Sequence, residues 1–392
     1  MQGASIYYYQ SKQTSSNGIE KYPKLRLKGF SDPFVIRKIG SFAKCYAGAT
    51  PSTKNKSFWE NGNIPWLSSG EVNKKRINFT DTHITQKGFD NCSTKMVPPG
   101  TVVIALAGQG KTRGTVAITN IELCTNQSLA SIVTDDTVYD LCLLYYLETQ
   151  YENLRAISSG DGTRGGLNLQ IINDYPVCLP TVDEQIRIAE LFMIFDRKIE
   201  KQRALVESLK KYKRGVLRKV FDHISTSCKK SLLGNLCVSI SSGKTTHVQD
   251  HGQYPLIGST GPIGYTDIEE FNEELILIAR VGANAGAVNY FAGSCGVTDN
   301  TLVVRVDKAY SVPEYILYFL EYYDPHRLIF GSGQPLVTGG QLKKIEVPIA
   351  SKDQQEKVVE LFTLLNKYCT CAQQQLDLLI CAKKALLQQL FI

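Results

Sequence analysis

Two stretches of the chain repeat one pattern of apolar and polar positions. Residues 183–221 and 353–391 align without a gap, 170 positions apart. They share Asp183/Asp353, Gln185/Gln355, Glu190/Glu360, Leu191/Leu361, Phe192/Phe362, Leu209/Leu379, Lys213/Lys383, Leu217/Leu387 and Phe221/Phe391. Neither contains Pro, and the only Gly is Gly215. Both are rich in Lys, Glu, Gln and Leu, which lose little rotamer freedom in a helix. The first seam runs Phe192, Phe195, Ile199, Gln202, Val206, Leu209, Lys213, Val216, Val220. The second runs Phe362, Leu365, Cys369, Ala372, Leu376, Leu379, Lys383, Leu386, Leu390. Alternating steps of three and four keep such a seam on one face. Two helices of about 40 residues, roughly 60 Å each, can therefore bury it against one another. Because the seams match in period and length, an antiparallel pair is expected.

The repeat continues upstream in weaker form. Leu144-Tyr145-Tyr146-Leu147-Glu148 matches Leu317-Tyr318-Phe319-Leu320-Glu321, and Ser159-Gly160 matches Ser332-Gly333. The apolar run Thr101–Gly108 matches Glu274–Gly282, and Gly114–Val116 matches Gly286–Val288. Ile64-Pro65 and Tyr254-Pro255 are expected to open comparable turns, and Ile39-Gly40 and Leu233-Gly234 start the two copies. Between these anchors the side chains differ, and the first copy is longer around Trp59 and Trp66. Each copy reads as short strands split by Gly, Asn and Ser turns, plus one helix near 138–157 or 313–328. The predicted fold class is α+β: two α+β domains in a pseudo-twofold arrangement, separated by two long antiparallel coiled-coil helices. The expected segments are an arm at 1–22 (with Tyr7-Tyr8-Tyr9), a domain at 23–180, a helix at 181–225, a domain at 226–348 and a helix at 349–392.

Composition narrows the class. A 43% hydrophobic and 21% charged chain of 392 residues is ordinary for a globular protein of more than one domain. The start of the chain lacks the apolar run of a signal peptide, and no stretch reaches the roughly 18 apolar residues that span a bilayer. The 11 cysteines are scattered without a CxxC pair, as suits reduced thiols and a cytoplasmic protein. No membrane partner is expected.

A net charge of +7 favours a polyanionic partner. Two similar modules joined by paired helices suit a duplex, whose backbone is itself twofold symmetric. Modules sharing a frame but differing at the surface would read two different half-sites. Candidate contacts follow from residue chemistry. Lys111, Arg113, Lys244 and Arg280 suit phosphate or a guanine edge, while Asn126, Gln127, Asn284 and Asn300 suit adenine or their own turns. Ser68, Ser69, Ser259 and Thr260 offer hydroxyls, and Arg164 and Gln334 sit at matching places after the domain helix.

Catalytic signals are absent from the sequence. Gly110-Lys111-Thr112 and Gly243-Lys244-Thr245 lack the upstream Gly of a phosphate loop, having Ala105 and Val238 there. His247 and His251 have helical zinc spacing, but no Glu follows His247 and Gly252 breaks the helix. There is no nucleophile elbow and no methyltransferase signature. No metal, cofactor or enzymatic activity is expected of this chain. The alternatives are a methyltransferase or nuclease with its own reading halves, a protein-binding scaffold, and a free-standing DNA-binding regulator.

From about residue 23 onward the chain resembles the type I restriction–modification specificity subunit family. The resemblance rests on ordered pieces: Pro23-Lys24-Leu25-Arg26, Gly48-Ala49-Thr50-Pro51-Ser52, Gly62-Asn63-Ile64-Pro65-Trp66-Leu67, Thr125-Asn126-Gln127, Leu179-Pro180 and Glu184-Gln185. The second half adds Tyr254-Pro255-Leu256-Ile257-Gly258, Ala279-Arg280-Val281-Gly282, Thr298-Asp299 and Lys383–Phe391. It departs in having Gln354-Gln355 for Glu184-Gln185 and Ala350 for Pro180. The resemblance implies two target-recognition domains reading a bipartite site on double-stranded DNA. It further implies that the paired helices dock two methyltransferase subunits, with nuclease-translocase subunits joining through them.

Overall fold

The computed structural model describes residues 6–8, 23–108, 111–158, 166–329 and 335–391. Its contacts divide into two units, Met1–Lys201 with Leu376–Ile392, and Gln202–Gln375. Two long helices, Val182–Ser227 and Lys352–Phe391, each contribute one part to either unit.

Strands in unit 1 are β1 Ile6–Tyr8, β2 Leu25–Leu27, β3 Val35–Lys38, β4 Ala43–Ala47, β5 Ile64–Leu67, β6 Arg76–Ile77, β7 Thr82–Ile84, β8 Val102–Ala105, β9 Val116–Thr119, β10 Cys124–Thr125, β11 Leu129–Thr134 and β12 Pro176–Leu179. Its helices are α1 Gln86–Asp90, α2 Asp140–Thr149, α3 Tyr151–Ile157, α4 Leu169–Asp174 and the start of α5 Val182–Ser227. Unit 2 holds β13 Lys230–Leu232, β14 Cys237–Ser242, β15 Tyr254–Gly258, β16 Gly261–Thr266, β17 Phe271–Ala279, β18 Val288–Val297, β19 Thr301–Val306 and β20 Glu346–Pro348. Its helices are α6 Pro313–Tyr323, α7 Gly339–Lys343 and the start of α8 Lys352–Phe391.

The sheets repeat one topology. Unit 1 has the order β4-β11-β8-β9-β6, with β10-β5-β7 beside it; unit 2 has β14-β19-β17-β18-β15-β16. In both, the strand carrying the proline runs parallel to a later one: Leu67 pairs with Thr125, and Ile257 with Val297. A short antiparallel pair leads into each long helix, β3 with β12 and β13 with β20. Ile6–Tyr8 pairs antiparallel with Leu25–Leu27.

Two local expectations need correction. Ile64-Pro65 and Tyr254-Pro255 open strands β5 and β15 rather than turns. Proline has no N–H for the ladder, so it is tolerated near a strand's beginning, where one donor is least missed. The helix expected near 138–157 breaks at Gln150 into α2 and α3. Its counterpart ends at Asp324, whose φ of 58° and following Pro325 stop α6 before a short 3-10 turn. The extra length around Trp59 and Trp66 forms its own small cluster, with the two rings edge to face at 5.2 Å.

The seams lie where their periodicity places them. Every seam residue on α5 and α8 is buried or half-buried, while Lys201, Lys210, Lys211 and Lys384 beside them are exposed. In unit 1 Phe192, near the start of α5, lies 6.5 Å from Phe391 at the end of α8. In unit 2 the Gln202 Nε2 donates to the Ala372 carbonyl at 2.8 Å, and Phe221 stacks 6.5 Å from Phe362. The helices thus pack antiparallel. Each unit has its own main core, and each core takes in residues from both long helices.

Polar pins hold the helix starts. Gln185 Oε1 accepts from the Tyr139 N–H (2.8 Å) while its Nε2 donates to the Pro180 carbonyl (2.9 Å). Gln355 repeats this with the Val312 N–H and the Ala350 carbonyl, both at 2.9 Å. The neighbouring departure also has a cause. Glu184 forms a buried ion pair with Arg26 at 2.7 Å, on a segment preceding the first copy. Burial pushes the Glu184 carboxyl above its ordinary range, with Arg26 pulling the other way. Gln354 is exposed and accepts from the Ser351 N–H and hydroxyl instead, so no charge is required there. Among the described residues, no helix is long and apolar enough to cross a membrane.

Candidate nucleic-acid interface

In unit 2 several candidate residues meet around the β18–β19 turn. The Gly243 N–H donates to the Thr301 carbonyl (3.1 Å) and the Thr245 N–H to the Val297 carbonyl (3.0 Å). These bonds seat Lys244, whose own N–H donates to Glu270 at 2.9 Å while its side chain is exposed. The second Glu270 oxygen accepts from the Thr245 hydroxyl (2.9 Å) and the Val297 N–H (3.2 Å), tying three segments together. The Thr298 N–H donates to the Ile257 carbonyl at 3.0 Å, which brings in Ser259 and Thr260 at the β15–β16 turn. The Arg280 N–H donates to the Asn300 carbonyl (2.9 Å), and its guanidinium to the Asp299 carbonyl (3.3 Å). Asn284 is exposed on the turn that follows, where its carbonyl accepts from the Ala287 N–H at 2.9 Å.

Unit 1 has the same frame with other side chains on it. The Ala49 N–H donates to the Thr125 carbonyl, and the Asn126 N–H to the Leu67 carbonyl, both at 3.0 Å. The Leu106 N–H donates to the Ser128 carbonyl at 2.8 Å, and the Gly114 N–H to the Ala105 carbonyl at 2.9 Å. Position by position, Thr245 therefore stands where unit 1 has Ala49 and Arg280 where it has Leu106, while Lys244 is an extra residue between the counterparts of Gly48 and Ala49. Thr298-Asp299-Asn300 stands where unit 1 has Asn126-Gln127-Ser128.

Several unit 1 candidates already have partners. Ser68 is the N-cap of a short 3-10 helix that begins at Ser69, and its hydroxyl donates to Glu71 at 3.0 Å. The Asn126 side-chain oxygen accepts from the Ser128 N–H at 3.1 Å, closing its own turn. Gln127 is exposed and accepts from the Thr50 hydroxyl. Arg113 donates to Ser158, at 3.3 Å to the carbonyl and 3.2 Å to the hydroxyl, where α3 ends. Lys111 is exposed on the β8–β9 turn, whose carbonyl there accepts from the Tyr151 hydroxyl at 2.8 Å. Arg164 and Gln334 lie outside the described residues.

Sequence reasoning missed the residues that make this convergence possible. A Cβ on Gly48 would lie 2.0 Å from the Thr125 carbonyl oxygen, and one on Gly243 2.2 Å from that of Val297. Backbone meets backbone at both places, so only glycine fits. Gly243→Ala is expected to push the 243–245 loop off β18 and cost about 1–3 kcal/mol. Thermal unfolding of the variant checks this; an unchanged midpoint would show that the loop gives way freely. Glu270 was missed as well, because nothing local distinguishes it from Glu269.

The comparisons with known proteins come down on one family. The model of the type I restriction modification DNA specificity domain matches residues 31–210 and again 229–378. The chain belongs to this family. Among curated relatives in it, the MjaIX specificity subunit of Methanocaldococcus jannaschii is 31% identical over 45% of this chain and 41% of its own length. The EcoR124I/EcoR124II specificity subunit of Escherichia coli is 24% identical over 45% and 44%. The match thus spans less than half the length of either relative. The EcoprrI specificity subunit of Escherichia coli is 22% identical over 82% of this chain and 84% of its own. Solved structures agree in fold: the type I S subunit from M. genitalium superposes with a TM-score of 0.63 at 18% identity, covering 95% of this chain and 99% of that one. A chain from a type I restriction–modification assembly gives 0.60 at 14% identity, covering 91% and 97%.

Proposed function

We propose that this chain reads a two-part site on double-stranded DNA, one part per unit, as the specificity subunit of a cytoplasmic type I restriction–modification complex. In this reading residues 23–180 and 226–348 are the recognition domains and residues 1–22 an arm. Residues 181–225 and 349–392 are the spacer helices, which hold two methyltransferase subunits and, through them, nuclease-translocase subunits. The chain supplies no catalytic group or cofactor of its own.

One observation carries the reading: the two units share a frame of matched backbone bonds while presenting different side chains on it, Arg280 against Leu106 and Thr245 against Ala49, with Lys244 inserted in unit 2 alone. A shared frame offers the same approach to each half-site, and different side chains choose different bases. Methylome sequencing of cells expressing the chain with its methyltransferase tests this. A methylated motif with two unlike parts is expected, and a palindrome or no motif would overturn it.

Salt dependence separates the roles of the exposed lysines. If Lys111 and Lys244 meet phosphate, replacing either with Ala weakens binding to every duplex and lowers the slope of log affinity against log salt by about 0.9. If either meets a base edge, one half-site relaxes and the slope is nearly unchanged. Unaltered affinity in both variants would return these loops to ordinary solvated turns.

A further inference from the structure

The pentapeptides Leu144–Glu148 and Leu317–Glu321 fall on α2 and α6, with their leucines in the cores. Their polar members do the same work in both units. In unit 1 the Tyr145 hydroxyl donates to Asp196 of α5 at 2.6 Å. Lys383 of α8 donates to Asp196 at 2.6 Å and to Glu148 at 3.3 Å. In unit 2 Lys213 of α5 donates to Glu321 at 2.7 Å, and Asn366 of α8 donates to the Tyr318 hydroxyl at 3.2 Å. Lys213 and Lys383 occupy the same seam position in the two repeats, and Asp196 and Asn366 are likewise aligned, one residue past the seam positions Phe195 and Leu365. The long helices thus exchange roles between units, while the domain helix meets the same pair of partners.

A lysine in an apolar seam is costly, because its ammonium gives up water and is repaid only by well-placed acceptors. Lys383 is 9% exposed, with its ammonium 4.9 Å from the Tyr145 ring centroid. Lys213 lies 5.9 Å from the Tyr318 ring in the same way. Leucine and phenylalanine surfaces permit more than one seat, since ridges slide into neighbouring grooves at little cost. A charge-assisted bond permits one, because a helix shifted by a turn strands the ammonium in hydrocarbon. Unit 1 adds Lys75, 2.8 Å from Glu148, and Arg76, 3.3 Å from Asp196 and 3.0 Å from the Tyr145 hydroxyl. Burial acts to raise the Asp196 pKa, but Lys383, Tyr145 and Arg76 together hold it below the ordinary carboxylate range.

We propose that Lys213 with Glu321, and Lys383 with Glu148 and Asp196, are positioning residues that fix the one seat of each recognition domain's helix on the long helices, and thereby the direction in which its loops meet DNA. The seat itself stands on the geometry above; its consequence for DNA rests on the function just proposed.

The test uses the full chain with its methyltransferase and three variants: Lys213→Met, Glu321→Gln and the exchanged pair Lys213→Glu/Glu321→Lys. Two readouts are taken, hydrogen exchange of the α6 amides and affinity for the cognate duplex against duplexes with one base changed in either half. Lys213→Met and Glu321→Gln should each speed exchange of α6 while leaving α2 as in the parent. Discrimination in the unit 2 half should fall by about tenfold, the scale of a mismatched base pair, and the unit 1 half should be retained. Lys213→Met should unfold at or above the parent's temperature, since an apolar seam residue packs there, so a fall in discrimination would not be a loss of folded protein. The exchanged pair should recover most of both readouts. Parental exchange and discrimination in a folded Lys213→Met would overturn the proposal, as would equal losses in both halves. Faster α6 exchange in a protein whose parent shows no DNA discrimination would support the seat and sink the DNA reading instead.

Discussion

Exchanging residues 226–348 for the matching domain of another specificity subunit is expected to replace one half of the methylated site and leave the other half as it was. The physical ground is the separation of the cores. The buried residues of unit 1 and unit 2 form separate main clusters, and the strand pairs named above all lie within one unit. The same cores set a condition on the exchange. Phe221 and Phe362 stay with the host helices, while their aromatic neighbours Tyr315, Tyr318 and Phe319 arrive with the graft. A grafted domain must therefore carry the Leu-Tyr-Phe-Leu-Glu surface that fits the host seam. Methylome comparison of parent and exchange reads the outcome directly. If both halves of the motif changed together, the domains would not be independent readers.

The largest single-residue losses of stability are expected at Phe192 and Phe221. Both rings are fully buried on α5, Phe192 in unit 1 and Phe221 in unit 2. Phe192 lies 5.3 Å from Tyr145 and 6.5 Å from Phe391; Phe221 lies 5.5 Å from Tyr315, 5.7 Å from Phe319 and 5.4 Å from Tyr322. Truncation to Ala removes the transfer free energy of the ring and leaves a cavity among groups that close it poorly. Each change should cost about 3–5 kcal/mol. The damage should follow the unit, with amide exchange rising first in α2 for Phe192→Ala and in α6 for Phe221→Ala. Urea unfolding with exchange mapping decides this; losses under 1 kcal/mol, or a uniform rise in exchange across both units, would show that these rings are not the joints we take them for.

The long helices were legible because their signal is local. A seam with steps of three and four needs no knowledge of other segments, and its residues are buried as the period demands. The duplication was legible for the same reason, since two copies of a sequence fold alike. Pro65 and Pro255 misled because a proline beside a glycine-rich stretch reads as a turn, whereas long-range pairing of β5 and β15 overrode that preference. The candidate contacts were legible only as residue types.

By itself, then, the sequence determined a duplicated α+β chain with two long seamed helices, because helix period and repetition are written along the chain. The tertiary structure alone decided which loops meet. Arg280 and Asn300, or Ala49 and Thr125, are joined by single backbone bonds between residues far apart in sequence. No periodicity encodes such a pairing, since it follows from how strands of distant origin align in one sheet. The structure also decided what the repeated Leu-Tyr-Xaa-Leu-Glu pentapeptide touches. Along the chain its Tyr and Glu are two more polar residues on a helix. Only packing puts them against a lysine in an apolar seam, where an unpaired ammonium would be intolerable.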